Sequence, residues 1–323
     1  MVAIDIMGGD YSPNEIIKGA LKAAQKGFAV NLFGTSNTIE ALLNKYDANW
    51  KAHKIVITHT TEIINMDDEP SKAVKKKQNS SLVQAVTAVK KGVCNSIISA
   101  GNSGALIVAS ILILGKKEGV SRPAIASFLQ NTASPVLLLD LGANSECKSL
   151  NLIEFAIMGK KFYEKNISKT PKIGLLSNGH ESVKGTTITK EAFIFLQQSK
   201  DFNFIGYVEP YDIFQNKADV IISDGFTGNI LLKAIESTYN TISKLVDDHN
   251  LEHNQKKSLL TFLSSKMDYR NRGGAPLLGI NGNVIVCHGQ SDAYAIQQAI
   301  KFAHNISNEK QKLSTFYPNK LTR

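Results

Sequence analysis

Short apolar runs alternate with amphipathic stretches along most of this chain. Ala3–Ile6 reads as a first strand ending at Met7-Gly8-Gly9-Asp10, and Pro13 then opens a helical pattern through Ile16, Ile17, Ala20, Leu21 and Ala24. Val30–Phe33 and Lys54–Thr58 read as strands, with Ile39–Leu43 and Ser81–Lys91 as helices. Asn95–Ser99 is a strand that runs into Ala100-Gly101-Asn102-Ser103-Gly104, and the apolar stretch Ala105–Leu114 after it has the length of a buried helix. The second half repeats this logic. Val136–Leu139 leads into Asp140-Leu141-Gly142-Ala143-Asn144, Lys172–Leu176 into Ser177-Asn178-Gly179, Val220–Ile222 into the segment from Ser223 to Asn229, and Val284–Val286 into the segment from His288 to Asp292. Strands alternating with helices predict a parallel α/β sheet, and each glycine cluster falls at the carboxyl end of a strand, the edge where such sheets bind ligands. Ile230 to about Asn271 breaks the alternation and reads as a helical excursion from one α/β domain spanning 1–323.

Composition narrows the function classes. With 323 residues, 43% of them hydrophobic, the chain can bury a large core. No apolar run reaches the roughly 18 residues of a membrane span, and no basic-then-apolar leader follows Met1, so a cytoplasmic protein is expected. The three cysteines, Cys94, Cys147 and Cys287, are scattered and read as small buried hydrophobes, so neither a metal nor a disulfide is expected. A net charge of +9 suits anionic partners. The basic residues are dispersed without aromatic interleaving, which argues against nucleic acid.

Three strand-to-helix loops, Gly8–Asp10, Gly101–Gly104 and Gly225–Asn229, could present backbone N–H groups to an anion, or could simply make tight turns. Neither G-x-G-x-x-G after the first strand nor G-x-x-x-x-G-K-[ST] occurs, so nucleotide binding lacks its usual basis. No G-x-S-x-G elbow occurs, and nothing in the sequence supplies a base for Ser103. Lys184 could neutralise phosphate or an oxyanion, or lie solvated on the surface. Asn229 could offer its amide to an oxyanion or cap a helix. His288 could assist proton transfer to a thiol or serve as a structural hydrogen-bonding group, with Asp292 on the same edge. Leu259, Leu260, Phe262, Leu263 and Met267 form an apolar face flanked by Lys256, Lys257, Lys266, Arg270 and Arg272, which fits a membrane surface, an acidic partner or a dimer interface.

Several strings, in this order, closely resemble the phosphate acyltransferases of bacterial phospholipid synthesis. They are Asp5 to Asp10, Met66 to Pro70 with Lys75 to Ser81, Ser99 to Ala105, Asp140 to Asn144, Lys184-Gly185, Ser223 to Asn229, Gly273 to Gly279 and His288 to Asp292. The resemblance implies a three-layer α/β/α sandwich related to isopropylmalate dehydrogenases and phosphotransacetylases, a homodimer, and peripheral association with anionic membrane. It implies an acyl-[acyl-carrier-protein] donor and inorganic phosphate as acceptor. Direct attack by phosphate on the thioester then needs no cofactor, and Lys184, Asn229 and His288 are the expected catalytic residues. Gly8, Gly9, Asp10, Asn102, Ser103, Gly104, Asp224, Gly228 and Asp292 are then expected to bind substrate. The chain departs from the family at Asn178–Lys184, where a more acidic run is usual, at Arg272, where tyrosine is frequent, and at Cys147-Lys148. Rival readings are a phosphotransacetylase using coenzyme A thioesters, an NAD-dependent hydroxy-acid dehydrogenase, and a non-catalytic membrane scaffold.

Overall fold

The computed structural model describes residues 1–129, 135–167, 169–249 and 252–307, without the side chains of His253, Lys266 and Tyr269. The described residues divide into two compact units, Met1–Glu118 with 272–307, and Gly119–Asn271. In the first unit, β1 (Val2–Asp5), α1 (Asn14–Gln25), β2 (Val30–Gly34), α2 (Ser36–Tyr46) and β3 (Ile55–His59) follow the predicted alternation. Then come α3 (Pro70–Lys76), α4 (Ser81–Lys90), β4 (Ser96–Ser99) and α5 (Ser103–Ala109), the last extended by a wider turn over Ser110–Leu114. Every residue of β1, β2 and β4 is buried, which is why these strands show no strict apolar–polar alternation.

The second unit contains β5 (Ala124–Leu129), β6 (Val136–Leu139), α6 (Ser149–Ile167), β7 (Lys172–Leu176), α7 (Thr187–Gln198), β8 (Asn203–Val208) and β9 (Val220–Ile222). Two helices, α8 (Gly225–Asp248) and α9 (His253–Met267), pack on each other and occupy most of the predicted helical excursion. The chain then returns to the first unit with β10 (Ala275–Leu278), β11 (Asn283–Val286) and α10 (Ala293–Ser307).

Strand order is β3-β2-β1-β4-β11-β10 in the first unit and β5-β6-β9-β7-β8 in the second. Most neighbours are parallel, as the alternation predicts. Among the described pairs, β10 runs antiparallel to β11 and β5 antiparallel to β6. β5, β8 and β10 were not legible as strands. Alanine and serine dilute the apolar run of β5, β8 mixes exposed and buried positions, and β10 carries Pro276 behind Gly273 and Gly274. β5 and β10 pair with the strands that follow them directly, β6 and β11, and β8 pairs with β7 across α7, so pairing rather than their own local propensity makes them strands.

Candidate active site

Register determines where the motif loops emerge. In the first unit Ile4 lies level with Ile98, and Ile98 with Ile285, on three adjacent parallel strands. The loops from Asp5, Ser99 and Val286 therefore leave the same edge. In the second unit Leu139, Ile222 and Leu175 are level on β6, β9 and β7. Here the common edge carries the segments following Leu139, Ile222 and Leu176.

A buried carboxylate underlies each cluster. Asp5 accepts from Ser81 Oγ at 2.6 Å, Ser99 Oγ at 2.7 Å and the Met7 amide at 3.3 Å. Burial raises its pKa, and these hydrogen bonds only partly offset that. Asp140 accepts from the amides of Ile125 (2.9 Å), Gly142 (3.3 Å), Ala143 (3.1 Å) and Asn144 (2.8 Å), and from Asn144 Nδ2 (2.8 Å). Burial raises the pKa of this carboxyl as well, against the pull of those donors. Sequence reasoning gave neither aspartate a role. The available signal was an aspartate ending an apolar strand just before glycine, where the loop's N–H groups need an acceptor.

The glycine loops are packing devices first. A Cβ on Gly8 would come within 2.6 Å of Asp5 Oδ2 and 2.7 Å of Gly101 Cα, so two backbones touch where no side chain fits. Many loop amides are also already committed. Gly101 N–H donates to Ser99 Oγ, Asp10 N–H to the Gly289 carbonyl, Gly225 N–H to the Asn144 carbonyl, and Thr227 N–H to Asp224 Oδ1. The expected N–H cradle for phosphate is correspondingly reduced.

Several predicted site residues turn out to hold structure. Asn102 caps α5 through its Oδ1, and its Nδ2 donates to the carbonyls of Asn65, Met66 and Asp68, so its amide is spent fastening the 65–68 segment. Asp224 caps α8 and Asp292 caps α10, as short-chain carboxylates do where helical N–H groups lack acceptors. Ser103 is exposed at the start of α5, and no described base is hydrogen-bonded to its hydroxyl. Gly104 leaves room for Pro70, whose Cγ lies 2.7 Å from the place a Cβ would occupy.

Two of the three predicted catalytic residues retain uncommitted polar groups among the described residues. Among the described residues, the Asn229 amide makes no hydrogen bond and packs 3.5 Å from where a side chain on Gly142 would begin. Lys184 is exposed in the β7–α7 loop, and no described acid pairs with its ammonium. Both belong to the second unit. His288 belongs to the first and is exposed; its Nδ1 accepts from the Gln290 amide at 3.1 Å, which puts the proton of the neutral ring on Nε2. Burial pushes the Cys147 thiol up to about 11 and the Cys287 thiol up to about 12, values at which neither is a nucleophile near neutrality.

The basic segment needs correcting. Arg272 is 5% exposed, so it cannot meet a partner or a membrane. Arg270 is bound to Asp268, with Nε 3.0 Å from both carboxylate oxygens, because that buried acid requires a cation. Lys256 pairs with Asp247 at 3.4 Å. Lys257 is exposed, and the Lys266 side chain lies outside the described residues. Leu259 and Phe262 are exposed on α9, whereas Leu260 and Leu263 are half-buried.

The pattern of the family described as Fatty acid synthesis protein matches residues 1–312. A phosphate acyltransferase from Geotalea daltonii is 39% identical over 98% of this chain and 95% of its own length. One from Halothermothrix orenii is 41% identical over 95% of each. Among solved structures, a phosphotransacetylase from Streptococcus pyogenes superposes with a TM-score of 0.63 at 18% identity, over 95% of this chain and 94% of that one, which shows a shared α/β/α fold. With a family match along nearly its whole length and full-length relatives at this identity, the chain belongs to the phosphate acyltransferase family.

Proposed function

We propose that this chain transfers a fatty acyl group from an acyl-[acyl-carrier-protein] thioester to inorganic phosphate. The carrying observation is the edge formed by β6, β9 and β7, where an uncommitted amide, Asn229, and an unpaired ammonium, Lys184, follow adjacent level strands. A phosphate oxygen attacks the thioester carbonyl carbon, the C–O bond forms as the C–S bond breaks, and the thiolate leaves to take up a proton. Lys184 offsets phosphate charge, Asn229 donates to the developing oxyanion, and His288 supplies the thiol proton. Asp140 holds the loop against which Asn229 packs, so the reaction proceeds largely by positioning and charge stabilisation.

The reading extends to a cytoplasmic homodimer that meets anionic membrane peripherally. The exposed Leu259 and Phe262 support it, together with the net charge of +9. Among the described residues no helix is long and apolar enough to cross a membrane. Light scattering of the purified protein and flotation with anionic vesicles test these two assignments.

The test of the reaction supplies palmitoyl-[acyl-carrier-protein] and inorganic phosphate and follows free carrier thiol and acyl phosphate together. Equal, phosphate-dependent formation of both establishes the transfer. A strong preference for palmitoyl-coenzyme A would favour the phosphotransacetylase reading suggested by the fold, and binding without turnover of either donor would favour the scaffold.

A further inference from the structure

Lys184 belongs to the loop 177–186 between β7 and α7, and the structure shows what shapes that loop. Its His180 lies between two acids, with Nε2 2.5 Å from Asp212 Oδ2 and Nδ1 3.1 Å from Glu209 Oε1. Asp212 sits in the 3-10 turn Pro210–Phe214 after β8, is 1% exposed, and accepts from the Glu209 amide at 3.0 Å. Its other oxygen lies 2.5 Å from Lys217 Nζ. The imidazole thus ties the β7–α7 loop to the connection between β8 and β9. A neutral ring can donate to only one of its two acids, and an imidazolium can donate to both.

From this anchor the loop makes one turn. Lys184 N–H donates to the Glu181 carbonyl at 2.9 Å, and the lysine stem folds back over Gly179. A Cβ on Gly179 would lie 2.6 Å from Glu181 Oε2, 3.0 Å from Lys184 Cγ and 3.4 Å from its Cδ, so the Glu181 carboxylate and the lysine stem both rest on bare backbone. Gly179 has no positive φ that would require glycine for conformational reasons. Its missing side chain serves the close approach.

We infer that His180 is the positioning residue for Lys184, with Gly179 as the surface on which the lysine stem lies, so that this loop sets how the ammonium meets phosphate. The inference rests on the proposed role of Lys184. An acidic residue at position 180 would meet Asp212 and Glu209 with like charge, whereas a histidine ring can donate to at least one of them.

The experiment is a set of double-mutant cycles: His180→Ala, His180→Gln and Gly179→Ala, each alone and combined with Lys184→Ala, with phosphate and palmitoyl-[acyl-carrier-protein] varied separately. His180→Ala and Gly179→Ala are expected to lower kcat/KM for phosphate on the order of tenfold, as misplacement of a charged group does. KM for the acyl carrier should stay unchanged, and His180→Gln, which keeps a donor toward Asp212, should restore most of the loss. In the Lys184→Ala background neither substitution should reduce activity further. Where that background turns over too slowly, the rise in unfolding temperature caused by inorganic phosphate replaces turnover, and it should be lost equally in His180→Ala, Lys184→Ala and the double variant. Full phosphate kinetics in His180→Ala and Gly179→Ala beside an inactive Lys184→Ala overturn the positioning role. So does a loss that adds to that of Lys184→Ala. Normal turnover by Lys184→Ala would instead remove the lysine from the proposed reaction.

Discussion

The backbone carbonyl of Asp140 occupies the space in which a side chain on Gly228 would begin. This contact presses the first turn of α8 against the 140–144 loop and thereby places Asn229, the next residue, beside Gly142. Gly228→Ala should force the helix away. We expect a loss of about 1–3 kcal/mol in urea unfolding, typical of overpacking, with a larger fall in turnover than the stability change explains. Unchanged turnover would show that the position of Asn229 does not matter.

Asp140 holds the same loop through its side chain. In Asp140→Ala five N–H groups would lose their acceptor. The expected cost is about 3–5 kcal/mol, given roughly 1–3 kcal/mol for a buried unsatisfied group and partial rescue by water. Denaturant titration checks it, and Asp140→Asn should recover part of the stability because its carbonyl still accepts.

Asp212 gives the second unit a specific acid sensitivity. Burial alone would raise its carboxyl, but hydrogen bonds from Lys217, the Glu209 amide and His180 outweigh burial and bring it down to about 2. A folded pKa below the unfolded value stabilises the native state above the ordinary carboxylate range. That stability is lost as pH falls from about 4 toward 2. Between these limits the unfolding temperature of the wild type should fall more steeply than that of Asp212→Asn; parallel curves would remove Asp212 as the cause.

Burial of Cys147 and Cys287, which raises both thiols, argues against a covalent thioester intermediate on either sulfur. Cys147→Ala and Cys287→Ala should each keep turnover within about threefold of wild type, allowing for a small loss of packing. An acyl adduct on the intact protein, found by mass spectrometry at one of these residues, would contradict this.

His288→Ala should slow release of the carrier thiol by about 10²-fold, the lower range for loss of a general acid, with little change in KM for phosphate. A donor with a low-pKa aryl thiol, which departs without protonation, should show a much smaller deficit. Equal deficits with both donors would assign His288 a structural role.

The order of elements and the glycine loops were legible in the sequence because an apolar run followed by glycine is a local signal, readable at Asp5–Gly9 and again at Leu139–Gly142. The strands Ala124–Leu129 and Ala275–Leu278 escaped notice because an antiparallel partner, rather than their own composition, makes them strands. Lys184 and Asn229 could be named from sequence, but not distinguished from Asn102, Asp224 and Asp292, which lie in the same kind of strand-to-helix segment and are as polar. Only the tertiary structure decided which polar atoms were already taken: Asn102 by the carbonyls of Asn65, Met66 and Asp68, the two aspartates by helix N–H groups, and Arg270 by Asp268. Hydrogen-bonding capacity is a property of each residue and can be read one position at a time, whereas its consumption depends on partners that folding brings together from distant parts of the chain.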